Sequence, residues 1–160
     1  MTRNQGFARL AAMIWKPHAT VAAVIEKNGR YLLVEERING LIQINQPAGH
    51  LEPGESLLEA CVRETIEEAG ILFHPTHLIG FYQWRAPDNG ATYLRAAFTG
   101  TIEQVIENAV LDKGIIHPVW LSTDEARACA SQHRSPLVMA CIDDHRAGRR
   151  YPLDTIRHYA

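Results

Sequence analysis

The stretch Gly49–Ile71, GHLEPGESLLEACVRETIEEAGI, carries six glutamates in 23 residues. Four of them, Glu59, Glu64, Glu67 and Glu68, fall where the spacing predicts a helix. Like charges three and four apart on a helix repel, at about 0.2–0.5 kcal/mol per pair. Such a sequence either decorates a solvated face or gathers negative charge for a purpose. At about 100° per residue, Glu64, Glu67 and Glu68 share one face, with Arg63 beside them and four residues before Glu67. Leu58, Cys61, Val62, Thr65, Ile66 and Ala69 form a broad stripe nearly opposite, expected to face the core, and the short Ala60 leaves the acidic face open. Three carboxylates on an open face are hard oxygen ligands of the kind Mg²⁺ or Mn²⁺ takes. Gly49, Pro53 and Gly54, just before, make a permissive backbone that can bring carbonyls close to a ligand. A divalent cation would relieve the repulsion and invite a phosphate substrate. The plain alternative is a solvated face with an Arg63–Glu67 ion pair.

The elements that must hold these residues belong to a chain of 160 residues, enough for one domain with a core. A hydrophobic content of 46% with 21% charged residues is that of an ordinary globular protein. A net charge of −2 gives no electrostatic case for nucleic acid or an anionic membrane as partner. No apolar run approaches the roughly 20 residues of a membrane helix. Cys61, Cys129 and Cys141 are an odd number without CxxC spacing, which predicts reduced thiols in a cytoplasm, neither a disulfide framework nor a zinc site. Lys16-Pro17 interrupts the short apolar start, so a secretory leader is not expected. Residues 1–12 read as a flexible N-terminal extension, Met13 as a candidate natural start, and 13–160 as a single domain.

Along the chain, Ala19–Glu36 reads as two strands around Asn28-Gly29, a strong hairpin signal. A turn at Asn39-Gly40 leads to a short strand and a loop, and Ser56 and Gly70 bracket the acidic helix as N-cap and C′ residue. Strands are expected over Thr76–Ala86, Thr92–Ile102 and Gly114–Ser122. Ser122–Glu125 forms a capping box for a second helix, and Ser135-Pro136 opens a third that ends by Gly148. Without regular βαβ alternation, the expectation is a mixed sheet flanked by helices.

The pattern G-x5-E-x7-R-E-U-x-E-E-x-G-U, with U a bulky aliphatic, is matched by Gly49, Glu55, Arg63, Glu64, Glu67, Glu68, Gly70 and Ile71, with Thr65 alone departing at the first U. By it the chain resembles the Nudix family. The resemblance implies an α/β (α+β) fold with a mixed β-sheet sandwiched between α-helices, and divalent-metal-dependent hydrolysis of a phosphoanhydride, with Mg²⁺ as cofactor and Mn²⁺ as substitute. Carried over, Glu64, Glu67, Glu68 and the Gly49 carbonyl are metal ligands, Glu64 alternatively the general base. Arg63 orients a box glutamate, and Glu55 supports the loop or stands in an outer shell. A further acid outside the box is sought in Asp112, with Glu103 and Glu107 as competitors. Cys61 is expected to be a buried structural thiol.

The segments NQPAGHLE, QWRAPD, RSPLV and RYPLDTI extend the resemblance, from about Met13 to His158, to bacterial phosphatases of this family. That closer likeness implies release of terminal phosphate from thiamine pyrophosphate, from its hydroxymethylpyrimidine pyrophosphate precursor, and from nucleoside di- and triphosphates. Trp84 and Tyr82 would stack the ring, Gln46 would hydrogen-bond it, and Arg85 or Arg95 would clamp a phosphate bidentately. Core packing is the plain alternative for the two aromatics, loop hydrogen bonding for Gln46. Related sequences carry an acid where this chain has Gly114, so any work of that acid passes to Asp112 or is lost. His74 and His77, separated by Pro75, are a poor zinc pair, and Arg146, Arg149 and Arg150 read as a solvated helix end. The partner implied is a small phosphoanhydride, with the chain a monomer or homodimer. The rival readings are ADP-ribose or a dinucleoside polyphosphate as substrate, and a non-catalytic domain of the same family that binds a metabolite.

Overall fold

The computed structural model describes residues 14–159. The expectations about residues 1–12 and Met13 lie outside the described residues. Eight strands and three helices follow in the order β1 (His18–Val24), β2 (Glu26–Lys27), β3 (Arg30–Ile38), β4 (Leu41–Asn45), β5 (Ala48–His50), α1 (Leu57–Ala69), β6 (Ile71–Arg85), β7 (Thr92–Val105), β8 (Ile115–Ser122), α2 (Thr123–Ala128) and α3 (Leu137–Arg146). Short 3₁₀ turns at Ala130–Gln132 and Leu153–Thr155 flank α3.

The strands divide between two four-stranded sheets. The first runs β5-β1-β7-β6, with β1 parallel to β7 and the other pairs antiparallel. In the second, β3 is central, pairing antiparallel with β2, β4 and β8. The apolar run Val21–Val24 explains the position of β1. Strands buried on both faces read as continuous hydrophobic stretches, and here Val21 and Ala23 face one core cluster while Ala22 and Val24 face the other. The first cluster includes Ala60, Cys61 and Ala69 of α1, and the second Val138, Cys141 and Ile142 of α3 together with Ala126 of α2. Helices therefore cover opposite sides of the strands, the expected sandwich. Side chains such as Leu32, Phe73 and Phe98, all 1% exposed or less, stabilise it by about 1.5–3 kcal/mol each.

The turn at Asn28-Gly29 forms with positive φ at both residues, 53° and 75°. The two strands around it do not pair along their length, however. Only Glu26 and Lys27 pair with β3, while β1 lies in the other sheet, because its doubly apolar run needs cover on both faces. Helix α1 is bracketed as its sequence predicts. Ser56 accepts from the Glu59 N–H (3.2 Å), Glu59 accepts from the Ser56 N–H (2.7 Å), and Gly70 closes the helix at φ 65°. Strand β6 starts at once, at Ile71, earlier than its sequence signals, and accommodates Pro75 where its register with β7 shifts.

Candidate active site

Strand β5 is three residues long and forms one edge of the first sheet, with Gly49 opposite Val21. Helix α1 lies against it and brings Glu64 and Glu68, one turn apart, under the strand. The Glu68 Oε2 accepts the Ala48 N–H at 2.9 Å. A Cβ at position 49 would come under 3.0 Å from the Glu64 carboxylate, so any side chain there would displace that carboxylate. Glu64 and Glu68 are 8% and 9% exposed. The acidic face of α1 is thus only partly open, since β5 shelters Glu64 and Glu68 while the Glu67 side chain stays 39% exposed. Ala60, Cys61, Thr65 and Ala69 supply the buried stripe, while Val62 and Ile66 are only half-buried. Burial pushes the Glu68 carboxyl up to about 8, with Glu64, Glu36 and Asp112 adding to the rise and the Ala48 N–H opposing it. Burial also raises Glu64, against the pull of Arg63.

Arg63 gathers three acids. Its Nε and Nη2 donate to the two oxygens of Glu55 (3.0 and 2.7 Å), its Nη1 to Glu64 (2.7 Å) and to Glu67 (3.0 Å), and its Nη2 also to the His50 carbonyl (3.0 Å). Bidentate guanidinium–carboxylate pairs combine energy with fixed geometry. Glu55 is held below the usual carboxylate range by Arg63 first, and it also accepts the Glu52 N–H at 2.8 Å. It therefore ties the glycine-proline loop to the helix.

Gly49, Arg63, Glu64, Glu67 and Glu68 form one wall of a cleft of about 710 Å³, within the range of small-molecule sites. Asp112 lines it too, its N–H donating to the Glu67 carbonyl at 2.8 Å. Gly114 has φ 102°, where an L side chain is strained, and Asp112 is the acid of this loop that reaches the cleft. Glu103 and Glu107 are outside the lining. Across the cleft, Trp84, Tyr93 and Arg95 rise from β6 and β7. The Trp84 and Tyr93 rings stack with centroids 5.7 Å apart, and Tyr93 stacks on His18 at 5.0 Å. Arg95 is 7% exposed and donates to Gln46 Oε1 (3.3 Å) and Asn45 Oδ1 (3.4 Å).

Three residues expected to touch substrate lie elsewhere. Gln46 is 1% exposed, with its amide nitrogen on the Val138 carbonyl (2.8 Å) and its oxygen on Arg95, so it supports the wall from behind. Tyr82 is half-buried and packs against the core under α3, its hydroxyl donating to Asp144 (2.8 Å). Arg85 is exposed and outside the cleft lining, beside the turn at Gly90. Conversely, Glu36, His50, Tyr93 and Arg134 line the cleft without having been singled out. Strand alternation was the available signal. Glu36 lies two residues beyond core-facing Val34, and Tyr93 two before Arg95, so each shares its neighbour's face. Glu36 is paired with Arg134 at 2.8 Å.

Outside the cleft, Cys61 and Cys141 are buried free thiols, with Cys61 raised by burial. Arg149 pairs with Asp144 and Arg150 donates to the His145 carbonyl, as a helix end does. No helix among the described residues is long and apolar enough to cross a membrane.

Among the described residues, no three His, Cys, Asp or Glu side chains stand close enough together to hold a metal ion as they are oriented. Glu64 and Glu67 are turned onto one nitrogen of Arg63. The donors nevertheless fit a hard divalent cation. They are all oxygens, position 49 has no Cβ to block the approach, and burial, reinforced by repulsion from neighbouring acids, keeps the Glu64 and Glu68 carboxyls raised where a cation would offset the cost of ionisation.

The NUDIX domain family model matches residues 16–141 of the chain. Phosphatase NudJ of Escherichia coli K12 is 46% identical over 143 residues, 89% of this chain and 92% of the relative, and NudJ of Shigella flexneri matches to the same extent. Among solved structures, a NUDIX hydrolase from Nitrosomonas europaea has 53% identity and a TM-score of 0.88, covering 90% of this chain and 98% of that one. The NUDIX domain of Shewanella oneidensis NrtR, complexed with ADP ribose, has a TM-score of 0.66 over 92% of this chain and 99% of that one. At 16% identity, that likeness shows the fold alone.

Proposed function

The chain belongs to the Nudix family and is a hydrolase of phosphoanhydrides, and within that class we propose that it is a Mg²⁺-dependent phosphatase of small nucleoside di- and triphosphates and thiamine-type pyrophosphates, releasing the terminal phosphate. Nudix hydrolases generally use divalent metal ions and bind small phosphate compounds. The likeness to NudJ, named a phosphatase, supports the terminal phosphate as the leaving portion. The observation that carries the reading is the arrangement in which Arg63 holds Glu55, Glu64 and Glu67 while Glu68 and Gly49 close on the same side of the cleft.

The Gly49 carbonyl, Glu64, Glu67, Glu68 and Asp112 would hold Mg²⁺, with Mn²⁺ as substitute. When bound, such an ion lowers the pKa of water and offsets phosphate charge. Arg63 positions the carboxylates, and Glu55 fixes Arg63. Water adds its oxygen to the terminal phosphorus, and the bridging oxygen leaves with its electron pair on the remaining portion, a monophosphate from a diphosphate substrate and a diphosphate from a triphosphate. Glu64 is placed either to ligate or to take the proton that water loses, and the pH–rate profile of Glu64→Gln separates the two roles. Trp84 meets the ring of the substrate. The same proposal covers a single domain over 13–160 with residues 1–12 as an extension, in the cytoplasm.

Phosphate release from ADP, a nucleoside triphosphate and thiamine pyrophosphate, with Mg²⁺ and with EDTA, tests it beside Glu68→Gln and ADP-ribose. Metal-dependent release lost in the variant is expected. Turnover of ADP-ribose alone would overturn the substrate assignment, and no turnover of any compound would overturn the metal-dependent mechanism.

A further inference from the structure

The cleft contains a buried positive charge with no ion-pair partner among the described residues, Glu68 acting on it only from a distance. Arg95 lines it, is 7% exposed, and belongs to no ion pair among the described residues. Its two terminal nitrogens donate to the neutral amide oxygens of Gln46 and Asn45, at 3.3 and 3.4 Å, and the neutral Cys141 thiol lies beside the guanidinium. Its Nε is buried with no hydrogen-bond partner. A buried guanidinium without a counter-charge is costly to the fold. Even so, it is deliberately held in place, since Gln46 is itself pinned by the Val138 carbonyl of α3 at 2.8 Å.

Its neighbours indicate what balances it. Arg95 faces Thr20 on β1 and Tyr82 on β6, and one pleat further toward the open end of the sheet stand His18, Tyr93 and Trp84, on three adjacent strands. The acids of α1 reach the cleft beside β5, two strands away, about 10 Å at the usual strand spacing. One side of the cleft is therefore acidic, and the other sets the unpaired Arg95 beside aromatic rings.

We propose that Arg95, with Trp84 and Tyr93, forms a metal-independent subsite for the phosphate monoester of a flat ring, the half of the substrate that remains after the terminal phosphate has left. The assignment of that half rests on the phosphatase reading above; the anion site itself rests on Arg95. The subsite selects ring-bearing phosphoanhydrides over inorganic chains, because ring and inner phosphate are held together before the acidic side is engaged.

Calorimetric titration of the whole chain in EDTA tests this, with AMP, inorganic phosphate and adenosine as probes. AMP should bind the wild type more tightly than either fragment. Arg95→Gln should weaken AMP at least tenfold and leave adenosine nearly unchanged, and Arg95→Lys should fall between. Melting supplies a second readout. Removing an unpaired charge should raise the Tm of ligand-free Arg95→Gln, and AMP should raise the Tm of the wild type only. AMP that fails to bind without metal, or binds Arg95→Gln as tightly as wild type, overturns the proposal. So does a lowered Tm or failure to fold in Arg95→Gln, which would make the guanidinium structural. AMP binding retained in Glu68→Gln supports the subsite, and it does so even where ADP is not turned over.

Discussion

Gly49 and the carboxylate of Glu64 stand so close that no side-chain atom fits between them. The contact joins the edge strand β5 to the acidic face of α1, and it sets how far Glu64 projects into the cleft. Gly49→Ala should therefore displace Glu64 rather than unfold the protein. Misplacement of a reacting group by about 1 Å costs on the order of 10²-fold in rate. We expect kcat/KM for ADP to fall by about that factor, with the Tm lowered by only a few degrees.

Arg63 is bonded to three carboxylates that without it would repel one another. Arg63→Ala should lower kcat by about 10²-fold even at saturating Mg²⁺, because the acids lose their orientation. Lysine presents a point charge and cannot span Glu55 bidentately while reaching Glu64 and Glu67, so Arg63→Lys should recover little. Apparent Mg²⁺ affinity should not weaken in either variant, since neither adds positive charge. Rescue of most activity by lysine would show that charge alone, not the fork geometry, is required.

The box was legible because its residues are consecutive on one helix and the loop before it, where spacing alone places them. Depth along a strand is not encoded in that way. Tyr82 and Trp84 lie two residues apart on the same face of β6, yet Tyr82 bonds Asp144 against the core while Trp84 reaches the cleft. Only the position of α3, which covers the inner part of that face, distinguishes them. Glu36 was missed for a related reason. It meets the acids of α1 from a different sheet, through a packing that no local pattern in β3 specifies. The same holds for Asn28-Gly29, where the turn is local and correct but the partner of β1 is set by burial on both faces.

Trp84 should govern substrate binding more than chemistry. Stacking of a ring on an aromatic side chain contributes about 1–3 kcal/mol, so Trp84→Ala should raise KM for ADP roughly tenfold or more while kcat changes little. Tripolyphosphate, which has no ring, should be hydrolysed equally by both proteins. An equal loss on tripolyphosphate would assign Trp84 to holding the cleft wall instead.

Glu68 makes the metal-free protein sensitive to alkali. Its carboxyl is raised from 4.5 to about 8 by burial first and by neighbouring acids after it. Between those values the folded state binds more protons at this site than the unfolded state, so stability falls as pH rises. The contribution is complete below 4.5 and is lost progressively up to about 8. Glu55, held low by Arg63, acts in the opposite direction but only in the acid range, below its ordinary value of 4.5. In EDTA, the Tm should therefore decline between pH 5 and 8 by on the order of 5 °C, and Glu68→Gln should flatten that decline. On the proposed reading Mg²⁺ would bind the ionised carboxylates, so it should raise the Tm most at the alkaline end. A Tm in EDTA that rises with pH over this range would show that the buried carboxyl is already ionised and balanced by some other group.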